Sequence, residues 1–361
     1  MNKNNKTQKR TIAVALSGGV DSACAAIDLI DEGYDVFAIT MKIFENQDTS
    51  MAKFVAEKLN IKYYEIDLIN EFKEKIIDTF INSYLEGYTP NPCLACNIHM
   101  KYGYLLKKAI SLGASHLATG HYARIIFDSD YNTYHLKKSD NQKKDQTYNL
   151  YHLNQYQLSK LIFPLEKYRD KSEVKKRVSQ YISELNNERD STDICFVDKK
   201  KHSAYIKEKI NYLPNGNFID MAGNYLGKHK GIFYYTIGQK RNVLENTNKY
   251  YVYRIDKESN SIILTDNEED LYYDLLLLKD VFYTNDENYS EKTFKVIAKI
   301  CQWGYELPAQ VKFISGSTYV KLLAPTRAPA PGQSCVFYIN DEVIGGGIIQ
   351  RAEKLKGNEE I

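Results

Sequence analysis

The stretch Thr11-Ile12-Ala13-Val14-Ala15-Leu16-Ser17-Gly18-Gly19-Val20-Asp21-Ser22 decides the fold. Its first half, Thr11–Leu16, is an apolar run of strand length that stops at a Ser/Gly turn. From Asp21 to Asp31 the apolar spacing becomes helical. A strand that passes through such a turn into a helix aims consecutive backbone N–H groups at one spot. The helix N-terminus adds partial positive charge there. Ser17–Ser22 therefore reads as an anion nest suited to a phosphate or pyrophosphate. It is not a Walker loop, which ends in Lys followed by Ser or Thr. A ligand-free glycine turn is the plainer alternative, and the whole Ser-Gly-Gly-Val-Asp-Ser run in this setting argues against it.

Outward from that unit, strand and helix patterns alternate. Thr11–Leu16, Asp35–Met41, Lys62–Asp67 and Ser115–Thr119 read as buried strands. Asp21–Asp31, Thr49–Leu59, Asn70–Tyr84 and Ile98–Leu112 carry helical spacing. The alternation predicts an α/β fold, a parallel sheet with helices on both faces, whose ligands sit beyond the carboxyl ends of the strands. From Leu153 to Ile210 the texture is helical, with Val174, Val178, Tyr181, Ile182 and Leu185 on one face and Ser172 as N-cap. After Leu213-Pro214-Asn215-Gly216 come short β-rich runs such as Tyr250–Ile255, Ser261–Thr265, Phe294–Ile300, Thr318–Leu323 and Ser334–Ile339. They predict two small β-rich domains. The expected division is a disordered tail 1–10, a catalytic domain 11–210 that includes the helical segment 153–210, a small central domain 211–283, a C-terminal β-barrel 284–352 joined through the polar Thr284–Lys292, and a tail 353–361.

The chain has 361 residues, 43% apolar and 26% charged, as in an ordinary soluble protein. No run approaches the ~20 apolar residues of a membrane span. The polar Met1–Arg10 lacks the apolar core of a secretory signal. A cytoplasmic protein that binds no membrane is expected. Six cysteines are too sparse for a disulfide framework, and in a reducing compartment cysteines set in motifs serve catalysis or metal binding. Between Lys137 and Lys209 there are 17 Lys and Arg against 11 Asp and Glu, inside a chain of net charge +2. That segment reads either as a footprint for a phosphate backbone or as a solvated helical surface. The 30 tyrosines reflect a Lys-, Asn-, Ile- and Tyr-rich composition as much as base stacking.

Two cysteine motifs follow the nest. Thr89-Pro90-Asn91-Pro92-Cys93-Leu94-Ala95-Cys96-Asn97 is a loop entering a helix, where a thiol is acidified. Asp190-Ser191-Thr192-Asp193-Ile194-Cys195-Phe196 follows the helical segment. Alone, a cysteine is usually a small buried apolar residue. Cys24, in the first helix, and Cys335, on a barrel strand, read that way.

Ser17–Ser22 resembles the PP-loop, whose members cleave ATP between the α- and β-phosphates to adenylate a carbonyl oxygen. Along nearly its whole length the chain resembles the tRNA-specific 2-thiouridylase family. The matching stretches are Ala15–Ser22 (ALSGGVDS), Thr89–Asn97 (TPNPCLACN), Ala118–Arg124 (ATGHYAR), Lys143–Leu153 (KKDQTYNLYHL), Arg189–Phe196 (RDSTDICF), Tyr234–Arg241 (YYTIGQKR), Ala328–Tyr338 (APAPGQSCVFY) and Gly345–Ile349 (GGGII). The resemblance implies that ATP, with Mg2+, adenylates the 2-oxo group of the wobble uridine in a tRNA anticodon loop. Sulfur then displaces AMP. It implies Cys195 as persulfide carrier and Cys96 as nucleophile. Ala15, Leu16, Ser17, Gly18, Gly19, Val20, Asp21 and Ser22 would bind ATP, with Met41 and Gly120 on the adenine side. Asn91, Pro92, Cys93, His121, Lys144, Asp145, Gln146 and Gln333 would meet tRNA. The sulfur donor would be a persulfide carrier protein, a cysteine desulfurase or inorganic sulfide.

This chain departs from the family's pattern at several places. Lys42–Ser50 replaces a longer loop, Cys93 stands where many members have Asp, Asp193 where many have Gly, and Cys301-Gln302 where many have Arg-Tyr. Cys93 and Cys96 form C-x-x-C. With Cys195 they would supply three thiolates for a [4Fe–4S] cluster with one iron free for sulfide. A zinc site fits less well, because three ligands leave it open. Alternative readings are another PP-loop adenylating enzyme, such as a synthetase or a 2-thiocytidine-type thiolase, and a non-catalytic tRNA-binding relative. The first leaves the paired cysteine motifs unexplained, and the intact nest argues against the second.

Overall fold

The computed structural model describes residues 10–187, 194–197, 202–210, 215–244, 247–285 and 293–355. Most of the two expected tails (1–9 of residues 1–10, and 356–361 of residues 353–361), Arg189–Asp193 of the Cys195 motif and most of the expected joint Thr284–Lys292 lie outside them, while Glu353, expected in the tail, ends the last strand. The chain forms two compact units interleaved in sequence. One comprises Met1–Lys75, Leu94–Asp190 and Asp341–Ile344, the other Ile76–Cys93, Ser191–Asn340 and Gly345–Ile361.

In the first unit the expected strands are present as β1 (Thr11–Ala15), β2 (Asp35–Lys42), β3 (Lys62–Asp67) and β4 (His116–Ala118). A hairpin of β5 (Arg124–Asp128) and β6 (Thr133–Lys137) follows, then the short β7 (Leu161–Ile162). The parallel sheet runs β3-β2-β1-β4-β7, with Ile12 opposite Val36 on one side and His116 on the other. Ile12, Ala13 and Val14 at its centre are fully buried, which is why β1 reads as an unbroken apolar run rather than an alternating one. The outer strand β3 departs from the expected buried strand: none of its residues is buried, because it lies at the sheet edge, where its polar sequence KYYEID meets solvent.

Helix α1 (Val20–Asp31) is buried almost all round. Leu16, Val20, Ala23, Cys24 and Ile27 join one apolar cluster with Val55, Val174 and Val178, while Ala25, Ala26 and Leu29 join another with Ile12, Val14 and Val36. Asp28 is enclosed in the same helix. Its carboxylate meets Arg177 Nε at 3.0 Å, the Tyr168 hydroxyl at 2.9 Å and Lys167 Nζ at 3.2 Å, so the buried charge is paired. Helix α2 (Ser50–Lys58) lies in the first cluster through Ala52, Val55 and Ala56.

The expected helix Asn70–Tyr84 is α3 (Ile69–Phe72), a wide π-type turn over Lys73–Asp78 and α4 (Thr79–Leu85). The expected helix Ile98–Leu112 begins earlier, as α5 (Pro92–Ala95). It widens into π-type turns over Cys96–Leu105 and finishes as α6 (Leu106–Ser111). Such widened helices are frequent at functional sites. The segment after Leu153 holds α7 (Gln155–Leu158) and α8 (Lys171–Ser179). Here the sequence reading needs correction. Asp170, not Ser172, is the N-cap of α8, its carboxylate accepting from Ser172 N at 2.7 Å. The helix also stops at Ser179, with Ser183–Asn187 a tighter 3-10 stretch. Val174, Val178, Ile182 and Leu185 are buried as the spacing implied, but Tyr181 is 45% exposed.

In the second unit, α9 (His202–Lys209) precedes a sheet ordered β10-β11-β8-β9, of β8 (Gly216–Asp220), β9 (Tyr225–His229), β10 (Tyr251–Asp256) and β11 (Ser261–Thr265). Phe218, Val252, Ile262 and Leu264 are its core. The barrel comprises β12 (Tyr272–Tyr283), β13 (Phe294–Lys299), β14 (Leu307–Ile314), β15 (Ser317–Arg327), β16 (Ser334–Ile339) and β17 (Glu342–Glu353). β12 pairs with both β15 and β17, so the sheet closes on itself and leaves no open edge there. Cys335 is buried inside it and Cys24 inside α1, both core residues as expected.

Candidate active site

The expected turn between β1 and α1 is present. Gly18 has φ +88°, which turns the chain between β1 and α1. A Cβ there would lie 3.0 Å from Ala52 N and 3.1 Å from the Met51 side chain. Ser22 Oγ donates to the Gly19 carbonyl at 2.9 Å and accepts from Ser17 N at 3.2 Å. Thr40 Oγ1 donates to the Leu16 carbonyl at 2.6 Å, fixing the end of β1. The loop is therefore held by its own hydroxyls and by β2. Gly120 abuts the other side, where a Cβ would fall 2.8 Å from the Asp21 carbonyl carbon and 2.9 Å from Ser22 N. Only glycine permits this approach, a steric reason for the residue beyond any nucleotide contact.

Met41 lies near the end of β2 and its carbonyl accepts from Gln47 Nε2 at 3.1 Å. Gln47 Oε1 in turn accepts from Ile43 N at 2.7 Å, so one side chain folds the short Lys42–Ser50 segment back on itself. Asp21 Oδ1 accepts from the Tyr122 hydroxyl at 2.8 Å and Asp21 Oδ2 meets Lys171 Nζ at 2.5 Å. Neither partner was singled out from sequence. Lys171 did leave a signal, since a cation in the first turn of a helix opposes the helix dipole.

Cys96 is half-buried, the fifth residue of the helical run that starts at Pro92. Cys93 is exposed in the first turn of that run. In the second unit Cys195 is also exposed, while the following Phe196 is buried edge-on against Phe80 with ring centroids 5.1 Å apart. Phe196 thus anchors a short segment in which Cys195 is exposed.

Comparison with known proteins gives this assembly a family. Residues 10–199 match the model described as tRNA methyl transferase HUP domain, 203–266 the tRNA methyl transferase PRC-barrel domain, and 273–349 the aminomethyltransferase beta-barrel domain. The tRNA-specific 2-thiouridylase MnmA 2 of Caldanaerobacter subterraneus subsp. tengcongensis is 40% identical, over 97% of this chain and 99% of that protein. The tRNA-specific 2-thiouridylase MnmA of Caldicellulosiruptor saccharolyticus is 39% identical, over 95% and 99%. That of Clostridioides difficile is 40% identical, over 95% and 99%. The chain belongs to the tRNA-specific 2-thiouridylase family.

The positions that match the family's tRNA contacts are placed unevenly in this 2-thiouridylase-family chain. Lys144 is half-exposed. Asp145 is buried and accepts from Thr147 Oγ1 at 2.7 Å. Gln146 grips Tyr122 at both ends, its N–H donating to the Tyr122 carbonyl and its Oε1 accepting from Tyr122 N, each at 3.0 Å. His121 is 8% exposed, with Nδ1 2.8 Å from both the Tyr102 hydroxyl and Thr119 Oγ1. Lys101 Nζ lies 3.3 Å from Nε2. Lysine can only donate, so Nε2 accepts and the ring proton sits on Nδ1. Burial first, then the Lys101 charge, keeps this imidazole neutral, holding its pKa well below the ordinary value.

In the second unit Asn91 is half-exposed and Pro92 buried, and Gln333 Nε2 donates to the Thr89 carbonyl at 2.9 Å and to the Pro90 carbonyl at 3.3 Å. Among the described residues no group of three or more His, Cys, Asp or Glu side chains is arranged to hold a metal ion. No helix among the described residues is long and apolar enough to cross a membrane.

Proposed function

We propose that this chain is a cytoplasmic tRNA-uridine 2-sulfurtransferase that adenylates the 2-oxo group of the wobble uridine and replaces that oxygen with sulfur. The observation that carries the reading is the hydroxyl-braced Ser17–Ser22 turn between β1 and α1, in a chain that aligns almost end to end with 2-thiouridylases. The words "methyl transferase" in the matched models point elsewhere. Methyl transfer does not call for a Ser-Gly-Gly-Val-Asp-Ser turn between a strand and a helix, and the full-length relatives are 2-thiouridylases.

The residues divide the work as follows. The backbone of the Gly18–Ser22 turn holds the phosphates of ATP, and the uridine oxygen attacks the α-phosphorus as pyrophosphate leaves with the electron pair. Mg2+ that arrives with ATP would be held by phosphate oxygens and the Asp21 carboxylate, and it supplies charge neutralisation. Cys195 carries sulfur as a persulfide whose terminal sulfur attacks the adenylated carbon, so that the C–S bond forms as AMP departs. Cys96 is the nucleophile that then attacks Cys195 Sγ, breaking its S–S bond to free the 2-thiouridine and leaving a Cys96–Cys195 disulfide that an external thiol reductant reopens. The sulfur comes from a persulfide carrier protein or a cysteine desulfurase. Cys93 is a bystander on this route.

The test is 2-thiouridine formation in tRNA, read by nucleoside mass spectrometry, beside tRNA-dependent ATP–pyrophosphate exchange. Cys195→Ala is expected to keep the exchange and lose the thiouridine. Cys93→Asp is expected to keep both. An anaerobically purified wild type that carries iron, and a Cys93→Asp variant that loses iron and thiolation together, would replace the persulfide route with the cluster route.

A further inference from the structure

A loop that binds a phosphate chain usually brings its own cation, as the Walker loop does with its lysine. Ser17–Ser22 brings none. It carries a carboxylate instead, Asp21, which by itself would repel an incoming triphosphate. The fold answers this from far along the chain. Lys171 Nζ lies 2.5 Å from Asp21 Oδ2, while the Tyr122 hydroxyl takes Asp21 Oδ1 at 2.8 Å. The lysine side chain is 17% exposed and that of Asp21 35%, so the pair opens toward solvent at the nest but is not loosely solvated.

The helix does not account for Lys171. It occupies the first position of α8, where a positive charge opposes the dipole, and the cap is already supplied by Asp170. The same helix holds its position through other contacts, with Val174 and Val178 in the core and Arg177 on Asp28.

We propose that Lys171 is a catalytic residue of the adenylation step. Asp21 holds the ammonium beside the Ser17–Ser22 turn. With ATP bound, the Asp21 carboxylate would be the residue to hold Mg2+, which would supply charge neutralisation. The ammonium then passes to the β- and γ-phosphate oxygens. As the bond from the α-phosphorus to the bridging oxygen breaks, the electron pair stays on that oxygen, and Lys171 stabilises the charge that develops on pyrophosphate. No proton needs to move. The inference rests on the adenylation reading above.

The experiment compares Lys171→Met and Lys171→Arg with the wild-type full chain in tRNA-dependent ATP–pyrophosphate exchange and in inhibition by inorganic pyrophosphate. Thermal unfolding and tRNA binding are measured in parallel. Loss of one aimed cation is expected to lower the kcat of exchange in Lys171→Met by on the order of 100-fold, more than it raises KM for ATP. Pyrophosphate inhibition should weaken by about tenfold or more for a lost charge-assisted contact, with tRNA affinity unchanged. Lys171→Arg keeps the ion pair with Asp21 but not the compact ammonium, and is expected to fall between. A folded Lys171→Met that exchanges within a few-fold of wild type overturns the proposal. So does a fully active Lys171→Arg beside a Lys171→Met that fails to fold, since the lysine would then be only a strut. A wild type that shows no exchange at all strikes the adenylation reading instead, so the two failures are distinguishable.

Discussion

At the scale of single residues, His121 shows how burial turns an ordinary side chain into a pH liability. The imidazole is neutral in the folded protein because it is enclosed and faces Lys101. In the unfolded chain it protonates near its ordinary value of 6.5. Below that pH the unfolded state binds the extra proton and the folded state does not, so stability falls as pH falls. The slope from one such group approaches about 1.4 kcal/mol per pH unit. Urea unfolding of the wild type between pH 7 and pH 5 should show this loss, and His121→Gln should flatten it. Some slope will remain, because burial also lowers the pKa of His99, His116 and His229. An unchanged slope in the variant would mean that the ring is already protonated in the fold.

Among elements, the loop Thr89–Pro92 is the informative case. Pro90 and Pro92 have no N–H, so the loop has few means of tying its own backbone, and its carbonyls need outside donors. Gln333 supplies them, donating to the carbonyls of Thr89 and Pro90, while Thr89 N donates to the Pro331 carbonyl at 2.8 Å. A turn at the start of a barrel strand thus sets the loop that leads to Cys93. Gln333→Glu removes the donor and sets a carboxylate against two carbonyls. Hydrogen exchange at the Thr89 and Asn91 amides is expected to speed up, and thiolation to slow by about tenfold, the scale of one lost hydrogen bond. Unaltered exchange and thiolation together would show that Gln333 does not hold the loop. A change confined to tRNA affinity would assign it to direct contact.

Over the whole molecule, the basic stretch between Lys137 and Lys209 acquires a different meaning from the one its charge count suggested. Several of its cations pair with acids distant in sequence: Lys137 with Asp341, Lys167 with Asp28 and Glu32, Lys171 with Asp21, and Arg177 with Asp28 and Asp31. Part of the local excess is therefore internal neutralisation and is not offered to RNA. Lys143 and Lys144, on the turn before Asp145, are the better candidates for a phosphate backbone. The logarithm of tRNA affinity should fall linearly with the logarithm of salt concentration, and Lys143→Ala and Lys144→Ala should each reduce the slope by roughly 0.7 to 0.9. Lys137→Ala, by contrast, should leave it nearly unchanged. Equal slopes in all three variants would return the segment to a plain solvated surface.

By itself the sequence determined what depends on neighbours along the chain. The unbroken apolar run of β1, the glycine turn and the spacing of α1 are local patterns, and they specify a strand–nest–helix unit before any partner is known. The order of motifs likewise specified the family. What only the tertiary structure decided depends on residues far apart in sequence. That Gly120 must be glycine follows from the backbone of Asp21 passing within van der Waals distance of it. That Lys171 pairs with Asp21 is decided by a 2.5 Å contact across 150 positions. The misplaced cap at Ser172 and the early end of α8 have the same origin. Periodicity reported which side chains are buried, and it did so correctly for Val174, Val178, Ile182 and Leu185. A buried face can be presented by a helix followed by a tighter turn as well as by one long helix, and packing, not spacing, chooses between them.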